Sequence, residues 1–375
     1  MRLVKTALVV GGGIAGMCTA IELRKRGVAV DLLELDKEWK VTGAGISING
    51  AALRALKSIG VVEEVLELGA GSDGVNLCAA NGTVVGQLPT PRIAGPDIAG
   101  AAGILRSVLA GILSRATVSA GVTVRLGTTI QSVEQERDGR LFVRSSDGID
   151  GRYDLLVGAD GLYSKVRSTF FPGAPVPRYT GQGSWRAVLP RDPETSSVSV
   201  FMGRATKVGV NPISQDQMYL FCLDNRPDNE RIPEDQWKDL LTGLLMEFSG
   251  PMVKARERIK DSSLVVYRPL ESLLLPPPWH RGAIVLVGDA AHATTPHLAA
   301  GAALGMEDAI VLVEEMEKAG SIDEGAVAYT KRRFERCRMV VENSLRLGEI
   351  EMAGVQSAEH AQIMRDSLGA LLAPI

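Results

Sequence analysis

The chain has 375 residues, a length that favours two domains or one large domain carrying an insertion. Hydrophobic residues make up 45% and charged residues 23%, which fits a globular protein with a large core, and a formal charge of −3 gives no electrostatic reason to expect nucleic acid. Four scattered cysteines without a CxxC pair argue against a disulfide framework and against a zinc site. We therefore expect a cytoplasmic protein with no bound metal.

The N-terminus raises the question of a signal peptide, because early positive charges precede an apolar run in "MRLVKTALVV". Three consecutive glycines break that run and a charged helical pattern follows at once, so we expect no signal peptide. No uninterrupted stretch of about 18 apolar residues occurs elsewhere, and no membrane span is expected.

The first elements predict a βαβ unit that binds a dinucleotide. Residues 3–10 and 28–35 have the pattern of buried strands, and residues 14–27 show apolar residues at helical spacing. The turn "GGGIAG" fits G-x-G-x-x-G, whose glycines allow a tight turn and close approach of the backbone to a pyrophosphate at the helix N-terminus. The residues expected to bind the dinucleotide here are Gly11, Gly13, Ile14, Ala15 and Gly16.

A carboxylate follows at the distance that a ribose contact requires. Glu34 ends the second predicted strand, 18 residues after Gly16. Its charge argues against a 2′-phosphate on the nucleotide, because the two anions would repel. The fingerprint does not separate NAD from FAD.

The remaining pattern predicts where this unit is interrupted. Helices are predicted at 49–60, 106–116 and 302–350, antiparallel strands at 122–147, buried strands at 153–161 and 283–289, and strands with turns at 181–224. We predict an α/β fold with a Rossmann-like domain assembled from discontinuous segments, an inserted and mostly antiparallel β-sheet domain for the substrate, and C-terminal helices. The predicted boundaries are 1–75, 96–180 and 276–320 for the first domain, 76–95 and 181–275 for the second, and 321–375 for the helices.

Two later strands also run into aspartates. "YDLLVGADG" places Asp160 and Gly161 after one strand, and "AIVLVGD" places Gly288 and Asp289 after another. A carboxylate at the carboxyl end of a strand faces the ligand crevice of an open α/β sheet, where it can accept hydrogen bonds from sugar or ribityl hydroxyls. For either aspartate alone, capping of a helix N-terminus is an equally good explanation.

Taken with the glycine turn and Glu34, "GADGLYSKVR" and "GDAAHATTPHLAAGAALGMEDA" resemble the FAD-dependent aromatic hydroxylases, the para-hydroxybenzoate hydroxylase-like flavin monooxygenases. The resemblance covers almost the whole chain in the same order, and members acting on salicylate, 6-hydroxynicotinate, urate and alkylquinolones have a similar layout. It implies FAD as the cofactor, with Asp289 on the ribityl chain and with Asp160 supporting the FAD side and the reducing cofactor. Arg106 matches an arginine that reaches the ribityl–phosphate region; the alternative is a solvated charge at a helix end.

Two segments match family segments beside the flavin ring, "GAGISI" and "TPHLAAGAALGMEDA". A helix beginning at Gly301 would direct its N-terminus at the N1–C2=O edge and stabilise negative charge on the reduced ring. Many relatives have Gly-Gln-Gly-Ala-Asn here; this chain lacks the Gln and the Asn but keeps the main-chain donors. The further flavin contacts that the resemblance implies are Gly45, Ile46, Gly161, Gly288, Pro296, Gly301 and Ala302.

Candidates for the catalytic groups come from the same resemblance. Ser47 occupies a position that some relatives fill with histidine, and capping of the helix from residue 50 is the alternative. His297 lies beside the predicted flavin edge, where it could act as an acid–base group or remain a structural histidine. His292 belongs to the family's GDAAH signature and is expected to be structural.

The inserted sheet supplies the other candidates. Lys207 sits where the urate and quinolone enzymes have Arg or Lys, and could pair with a substrate carboxylate or phenolate; an exposed edge lysine is the alternative. Tyr219 sits near a tyrosine of the urate enzymes. Trp185, in "GSWRAVLP", is expected to be a packing wall of the cavity near the flavin.

The resemblance implies a monooxygenase. NADH or NADPH would reduce FAD, O2 would add to form a flavin C4a-hydroperoxide, and its distal oxygen would attack an electron-rich carbon of a small aromatic or heteroaromatic substrate. No second dinucleotide fingerprint exists, so the reductant is expected to bind transiently. The alternatives are an FAD oxidoreductase or epoxidase acting on a non-aromatic substrate, and a non-catalytic FAD-binding regulatory protein. A monomer or homodimer is expected.

Overall fold

The computed structural model describes residues 3–40, 43–204, 206–260, 264–354 and 357–375, and these residues form an α/β fold. Its helices are α1 (Ile14–Lys25), α2 (Gly50–Ile59), α3 (Val62–Leu68), α4 (Arg106–Ser119), α5 (Lys165–Phe170), α6 (Trp237–Leu244), α7 (Pro251–Glu257), α8 (Asp289–His292), α9 (Gly301–Lys318), α10 (Ile322–Met352) and α11 (Ala358–Leu372). No helix in these ranges is both long and apolar enough to cross a membrane.

The N-terminal part of the chain builds a largely parallel sheet, called here the parallel sheet. Its strands are β1 (Thr6–Val10), β2 (Ala29–Glu34), β8 (Thr123–Leu126), β12 (Leu155–Gly158), β18 (His280–Arg281) and β19 (Ile284–Leu286), in the order β18-β19-β12-β1-β2-β8. β18 alone among these described strands runs antiparallel to its neighbour. The predicted antiparallel character of residues 122–147 is wrong for β8, because β8 pairs with β2 in parallel register.

A second large sheet, called here the antiparallel sheet, carries the inserted region. Its strands are β5 (Gly74–Ala79), β6 (Val84–Pro89), β13 (Arg178–Pro190), β14 (Val198–Met202), β15 (Lys207–Pro212), β16 (Gln217–Asn225) and β17 (Val265–Ser272), in the order β17-β13-β16-β15-β14-β5-β6. β14 and β5 pair in parallel. The strands begin two or three residues before the predicted boundaries at 76 and 181, and the division into domains stays a prediction.

Two smaller sheets complete the strand set. One has the order β11-β10-β9, from β9 (Ile130–Gln135), β10 (Leu141–Ser145) and β11 (Gly151–Tyr153). The other has the order β3-β7-β4, from β3 (Gly45–Ile48), β4 (Ala70–Ser72) and β7 (Ala101–Leu105). β3 packs against the antiparallel sheet, because a Cβ on Gly45 would lie 2.3 Å from the ring of Tyr219 on β16.

The apolar side chains separate into two cores. The larger joins the parallel sheet to α1, α2, α4, α9 and α10, and the smaller lies between one face of the antiparallel sheet and α6 and α7. On β13, Trp185, Ala187 and Leu189 are buried in the smaller core. Side chains alternate along a strand, so the residues between them point to the other face, away from α6 and α7.

A buried set of charges joins the turn after β19 to α9 and α10. Asp308 on α9 accepts hydrogen bonds from His292 (2.6 Å), from the Gly288 amide (2.8 Å) and from Arg333 on α10 (2.8 Å). Burial alone would lower the pKa of His292, but the Asp308 carboxylate outweighs it and raises that pKa well above its ordinary value. His292 therefore lies in a buried structural network, and this network anchors the segment that carries Asp289.

Candidate active site

Three motifs that are far apart in sequence meet at the carboxyl edge of the parallel sheet. Gly11 has φ +106°, and a Cβ there would lie 2.4 Å from the carbonyl oxygen of Ala159, the residue before Asp160. At Gly16, a Cβ would lie 1.9 Å from the carbonyl oxygen of Gly11. Glycine is therefore required at both positions, one for the turn and one for the packing of α1 against the strand ends.

The motif that contains Gly288 and Asp289 packs against the glycine turn through Ala15. The Ala15 side chain packs against two glycines, Gly288 and Gly305. A Cβ added to Gly288 would lie 2.8 Å from the Ala15 Cβ, and a Cβ added to Gly305 would lie 3.0 Å from it. Larger side chains at those two glycines would push the turn after β19 and helix α9 away from α1. This packing places Asp289 beside the glycine turn although 273 residues separate Asp289 from Gly16.

The N-terminus of α1 is suited to bind a phosphate. Among the described residues, no side chain caps it and no atom lies within 4 Å of a Cβ placed on Gly13, so a ligand can reach the backbone. Glu34 ends β2 next to this turn, and its carboxylate accepts hydrogen bonds from the amides of Gly12 (2.7 Å) and Asp36 (2.8 Å). The ribose contact expected of Glu34, and the nucleotide contacts of Ile14 and Ala15, stay predictions.

Asp160 caps the N-terminus of α5, and helix capping was one of the two roles that the sequence allowed for it. Its carboxylate accepts hydrogen bonds from the Ser164 hydroxyl and from the amides of Lys165 (2.7 Å) and Val166 (3.0 Å) at the start of α5. Gly161 has φ +77°, and a Cβ there would have no atom of a described residue within 4 Å. A cofactor contact from either residue stays a prediction.

Asp289 differs from Asp160, because no described residue forms a hydrogen bond with its side chain. The side chain is solvent-accessible, yet it lies in a recess where desolvation raises its pKa, an effect partly offset by the positive charges of His292 and Arg106. Arg106 begins α4 and is half-buried, and its Nε is buried without a hydrogen-bond partner among the described residues. The Nε of Arg106 is therefore shielded from water, and the contact of Arg106 with the ribityl–phosphate region stays a prediction.

The helix N-terminus expected beside the flavin ring is also uncapped. α9 begins at Gly301 after Ala299, which has φ +48°, and no side chain in the part of the chain that the structure describes accepts a hydrogen bond from its first amides. Gly301 and Ala302 are half-buried, as is Pro296, which begins a short 3₁₀ turn. Their flavin contacts stay predictions.

These residues fit FAD. The free amides of α1 suit the pyrophosphate, and the unpartnered Asp289 carboxylate suits ribityl hydroxyls. The orphaned Arg106 Nε can donate to an anion, and the free amides of α9 suit an electron-rich ring edge.

The antiparallel sheet meets the predicted flavin side through β3. Ser47 Oγ lies 2.9 Å from Tyr219 Oη, and Asn211 Nδ2 donates to Ser47 Oγ at 2.9 Å. The capping explanation for Ser47 is wrong, because Asn49 caps α2. A Cβ on Gly45 would lie 2.3 Å from Cδ1 of Tyr219, so the ring packs directly on the β3 backbone, next to the buried Ile46.

Lys207 and His297 lie in a different cluster, around Glu351 near the end of α10. Lys207 Nζ is 2.6 Å from Glu351 Oε1, so its charge is paired within the chain and it is not an exposed edge lysine. A substrate contact from Lys207 stays a prediction. His297 Nε2 is 3.4 Å from Glu351 Oε2, and its Nδ1 is 2.9 Å from the Thr295 hydroxyl. His360 on α11 is 3.1 Å from Glu351 Oε1.

Burial sets the protonation of this cluster. Burial and the nearby Lys207 charge lower the pKa of His297. Burial alone would raise the pKa of Glu351, but Lys207 and the two histidines outweigh it and hold that pKa well below its ordinary value. At neutral pH, Glu351 is therefore a carboxylate and His297 a neutral imidazole.

Trp185 is not a wall of this site. Its ring is fully buried in the core on the other face of the antiparallel sheet, where Nε1 donates to Asp224 (2.9 Å). The neighbouring Arg186 faces the site instead. Sequence reasoning missed Arg186, Asn211 and Glu351, although the alternation of "SWRAVL" carries the signal for Arg186.

The fold and this site define a dinucleotide-binding α/β flavoprotein. The family model described as FAD binding domain matches residues 4–344, and the chain belongs to this family of FAD-dependent aromatic hydroxylases. It is an FAD-dependent monooxygenase.

Relatives and solved structures agree with this membership. The chain is 31% identical to the aurachin C monooxygenase/isomerase of Stigmatella aurantiaca, over 92% of this chain and 89% of that protein. It is 32% identical to the 2-heptyl-3-hydroxy-4(1H)-quinolone synthase of Pseudomonas aeruginosa, over 82% of this chain and 79% of that protein. HpxO of Klebsiella pneumoniae, crystallised with FAD and uric acid, has the same fold, with a TM-score of 0.81. The match covers 98% of this chain and 92% of HpxO, at 22% sequence identity.

Proposed function

We propose that this monooxygenase uses NADH or NADPH and O2 to hydroxylate a small aromatic or heteroaromatic ring, by the oxygen-transfer route described above. The observation that carries the proposal is the contact of Tyr219 and Asn211 of the antiparallel sheet with Ser47 of β3, the strand predicted to lie beside the flavin ring. The quinolone in the name of the Pseudomonas aeruginosa relative and the uric acid bound to HpxO are ring compounds, which supports a ring substrate here.

The protein's own groups orient and shield the substrate. FAD, when bound, supplies the redox chemistry and the activation of oxygen. Tyr219 and Ser47 can share a proton across their 2.9 Å contact, and Asn211 holds the serine hydroxyl. A ring hydroxyl or ring nitrogen bonded to Tyr219 would be favoured in its electron-rich form. Tyr219 is buried, so water has little access to its ring, which would limit wasteful release of peroxide.

The test is oxidation of NADH and NADPH by the FAD-loaded protein, with O2 uptake and peroxide measured across phenols, aromatic acids and quinolones. We expect a substrate to accelerate oxidation, lower the peroxide yield and gain one oxygen atom. Tyr219→Phe should lower the rate with that substrate about tenfold, from loss of one hydrogen bond, and should raise the peroxide yield. Tyr163→Phe, at an exposed position, is the control.

Two results would contradict the proposal. If no ring compound accelerates oxidation or takes up oxygen, the hydroxylase assignment is wrong. If Tyr219→Phe matches Tyr163→Phe in both rate and peroxide yield, Tyr219 does not act on the substrate.

A further inference from the structure

A small cavity opens at the surface between α10, β13 and the turn before α9. Its volume is about 20 Å³, and its lining includes two exposed residues, Arg178 on β13 and Glu349 on α10. Three further lining residues, His297, Ser344 and Gly348, are buried. The cavity therefore connects the surface with the interior beside His297.

Two buried polar atoms of the lining residues have no partner. His297 Nε2 and Ser344 Oγ form no hydrogen bond with any described residue, although only 1% of the His297 side chain is exposed and Ser344 is fully buried. Glu351 Oε2 lies 3.4 Å from His297 Nε2 and also forms no hydrogen bond within the described chain. A buried polar atom left unbonded costs about 1–3 kcal/mol. These atoms are therefore complementary to a small molecule that can both donate and accept hydrogen bonds.

Gly348 keeps the cavity open. A Cβ at this position would lie 2.7 Å from Gln182 Oε1 and 3.2 Å from His297 Nε2. Gly348 lies inside α10, where glycine is less favourable than alanine by about 1 kcal/mol, so its presence serves the space beside it. A buried water needs about 10–15 Å³ of cavity and about two to four polar partners. The cavity therefore has the size and the polar lining for one water.

The other ring nitrogen of His297 connects to the turn before α9. His297 Nδ1 lies 2.9 Å from the Thr295 hydroxyl. Both residues flank Pro296, which the family resemblance places beside the flavin ring. Because an imidazole can accept a proton at one nitrogen and release one at the other, His297 joins the cavity to this turn.

Charged groups from three elements face His297. They are Lys207 on β15, Glu351 on α10 and His360 on α11. Burial and the Lys207 charge lower the pKa of His297, and the opposing effect of Glu351 does not outweigh them. A proton received by this imidazole at neutral pH is therefore passed on and not retained.

We propose that this cavity is a proton inlet of the monooxygenase, in which a water bound to His297 Nε2 and Ser344 Oγ exchanges protons between solvent and the turn before α9. The water gives a proton to Nε2 and regains one from solvent. Nδ1 then gives its proton to Thr295 Oγ1, and the Thr295 hydroxyl releases its own proton inward. Only protons move, and nothing is oxidised or reduced.

The proposed function gives this inlet a use. When NADH or NADPH and O2 hydroxylate a ring, a proton is taken up for each oxygen atom inserted and water is released. This use of the inlet rests on the proposed function, whereas the water site and its proton exchange do not.

The test follows the imidazole protons by NMR in FAD-loaded protein, labelled at the ring nitrogens of its four histidines. The signal of His297 is identified by its loss in His297→Gln, and its proton exchange is measured by magnetisation transfer from water. Gly348→Ala fills the cavity and Ser344→Ala removes one partner of the water. Gly369→Ala on α11 is the control, because no atom of the described residues lies within 4 Å of a Cβ there. FAD content, unfolding free energy and turnover in H2O and D2O are recorded for each variant.

We expect a neutral His297 at pH 7 that exchanges protons with water. Gly348→Ala should slow this exchange about tenfold or more, through loss of the hydrogen-bonded water, with unchanged FAD content. Ser344→Ala should slow it less, because His297 keeps its access to the cavity. Gly348→Ala should also lower turnover of a hydroxylated substrate and raise its solvent isotope effect. Gly369→Ala should match the unaltered protein in every measurement.

Other outcomes overturn the inference. A His297 that does not exchange with water, or that exchanges equally fast in Gly348→Ala and Gly369→Ala, would remove the water site. Slowed exchange without any change in the turnover of a hydroxylated substrate would show that the reaction takes its proton elsewhere. If Gly348→Ala loses FAD or does not fold, Ser344→Ala is judged by the same criteria. If exchange depends on Gly348 but no compound is hydroxylated, the water site stands and the proposed function fails, so the two failures are distinguishable.

Discussion

At the scale of single residues, the glycine turn holds positions with different physical demands. A Cβ at Gly16 would meet the Gly11 carbonyl oxygen at 1.9 Å, whereas no atom of the described residues lies within 4 Å of a Cβ at Gly13. Gly16 therefore serves the packing of α1 within the protein. Gly13 leaves room for something outside the chain.

This contrast gives a testable pair of substitutions. Gly16→Ala should destabilise the FAD-free protein by about 3 kcal/mol, since the clash is with backbone that cannot move freely. Gly13→Ala should cost less than about 1 kcal/mol in the FAD-free protein but weaken FAD binding about tenfold or more. Urea unfolding and FAD titration by fluorescence measure the two effects. A Gly13→Ala protein that binds FAD normally would show that no phosphate approaches this backbone.

At the scale of elements, the end of α10 joins regions that are far apart in sequence. Glu351 contacts Lys207 on β15, His297 in the turn before α9, and His360 on α11. Only 7% of the Glu351 side chain is exposed, so these interactions are weakly screened by solvent. α10 thereby ties the antiparallel sheet to the FAD side of the molecule.

Glu351→Gln should lower the free energy of unfolding at pH 7 by about 2 kcal/mol, through loss of charge-assisted hydrogen bonds. The folded-state pKa of Glu351 is lowered, so its contribution is present above the ordinary glutamate pKa and declines as pH falls below it. The difference between the two proteins should therefore shrink below about pH 4. Glu349→Gln, at a half-exposed surface pair, should stay within about 0.5 kcal/mol. A difference that does not depend on pH would contradict this account.

At the scale of the whole molecule, the fitted FAD site is assembled from strand ends that are remote in sequence. β1, β12 and β19 supply the glycine turn, Asp160 and Asp289, and each strand reaches the same edge of the parallel sheet. A ligand that binds all of them stabilises the folded chain and not the unfolded one.

FAD at 100 times its dissociation constant should raise the free energy of unfolding by about 2.7 kcal/mol. FMN lacks the adenosine part that the glycine turn and Glu34 are placed to bind, so FMN at the same concentration should stabilise the protein less. Thermal unfolding with each flavin measures the difference. Equal shifts with FAD and FMN would mean that the glycine turn does not bind the dinucleotide.

Much of this protein follows from local sequence. The βαβ unit, the helices at 50–59 and 106–119 and the strand ends at Asp160 and Asp289 were predictable, because glycine turns and hydrophobic periodicity act over short distances. The pairing partner of β8 was not, since register depends on which strand is adjacent in space.

By itself, the sequence determined the α/β class, the dinucleotide fingerprint and the membership in a family of flavin monooxygenases. Only the tertiary structure decided which charges remain available. Lys207 is neutralised by Glu351, which lies 144 residues away, and Arg186 is left without an acid. The reason is physical: a side chain's charge acts through space, and its partner is set by packing and not by distance along the chain.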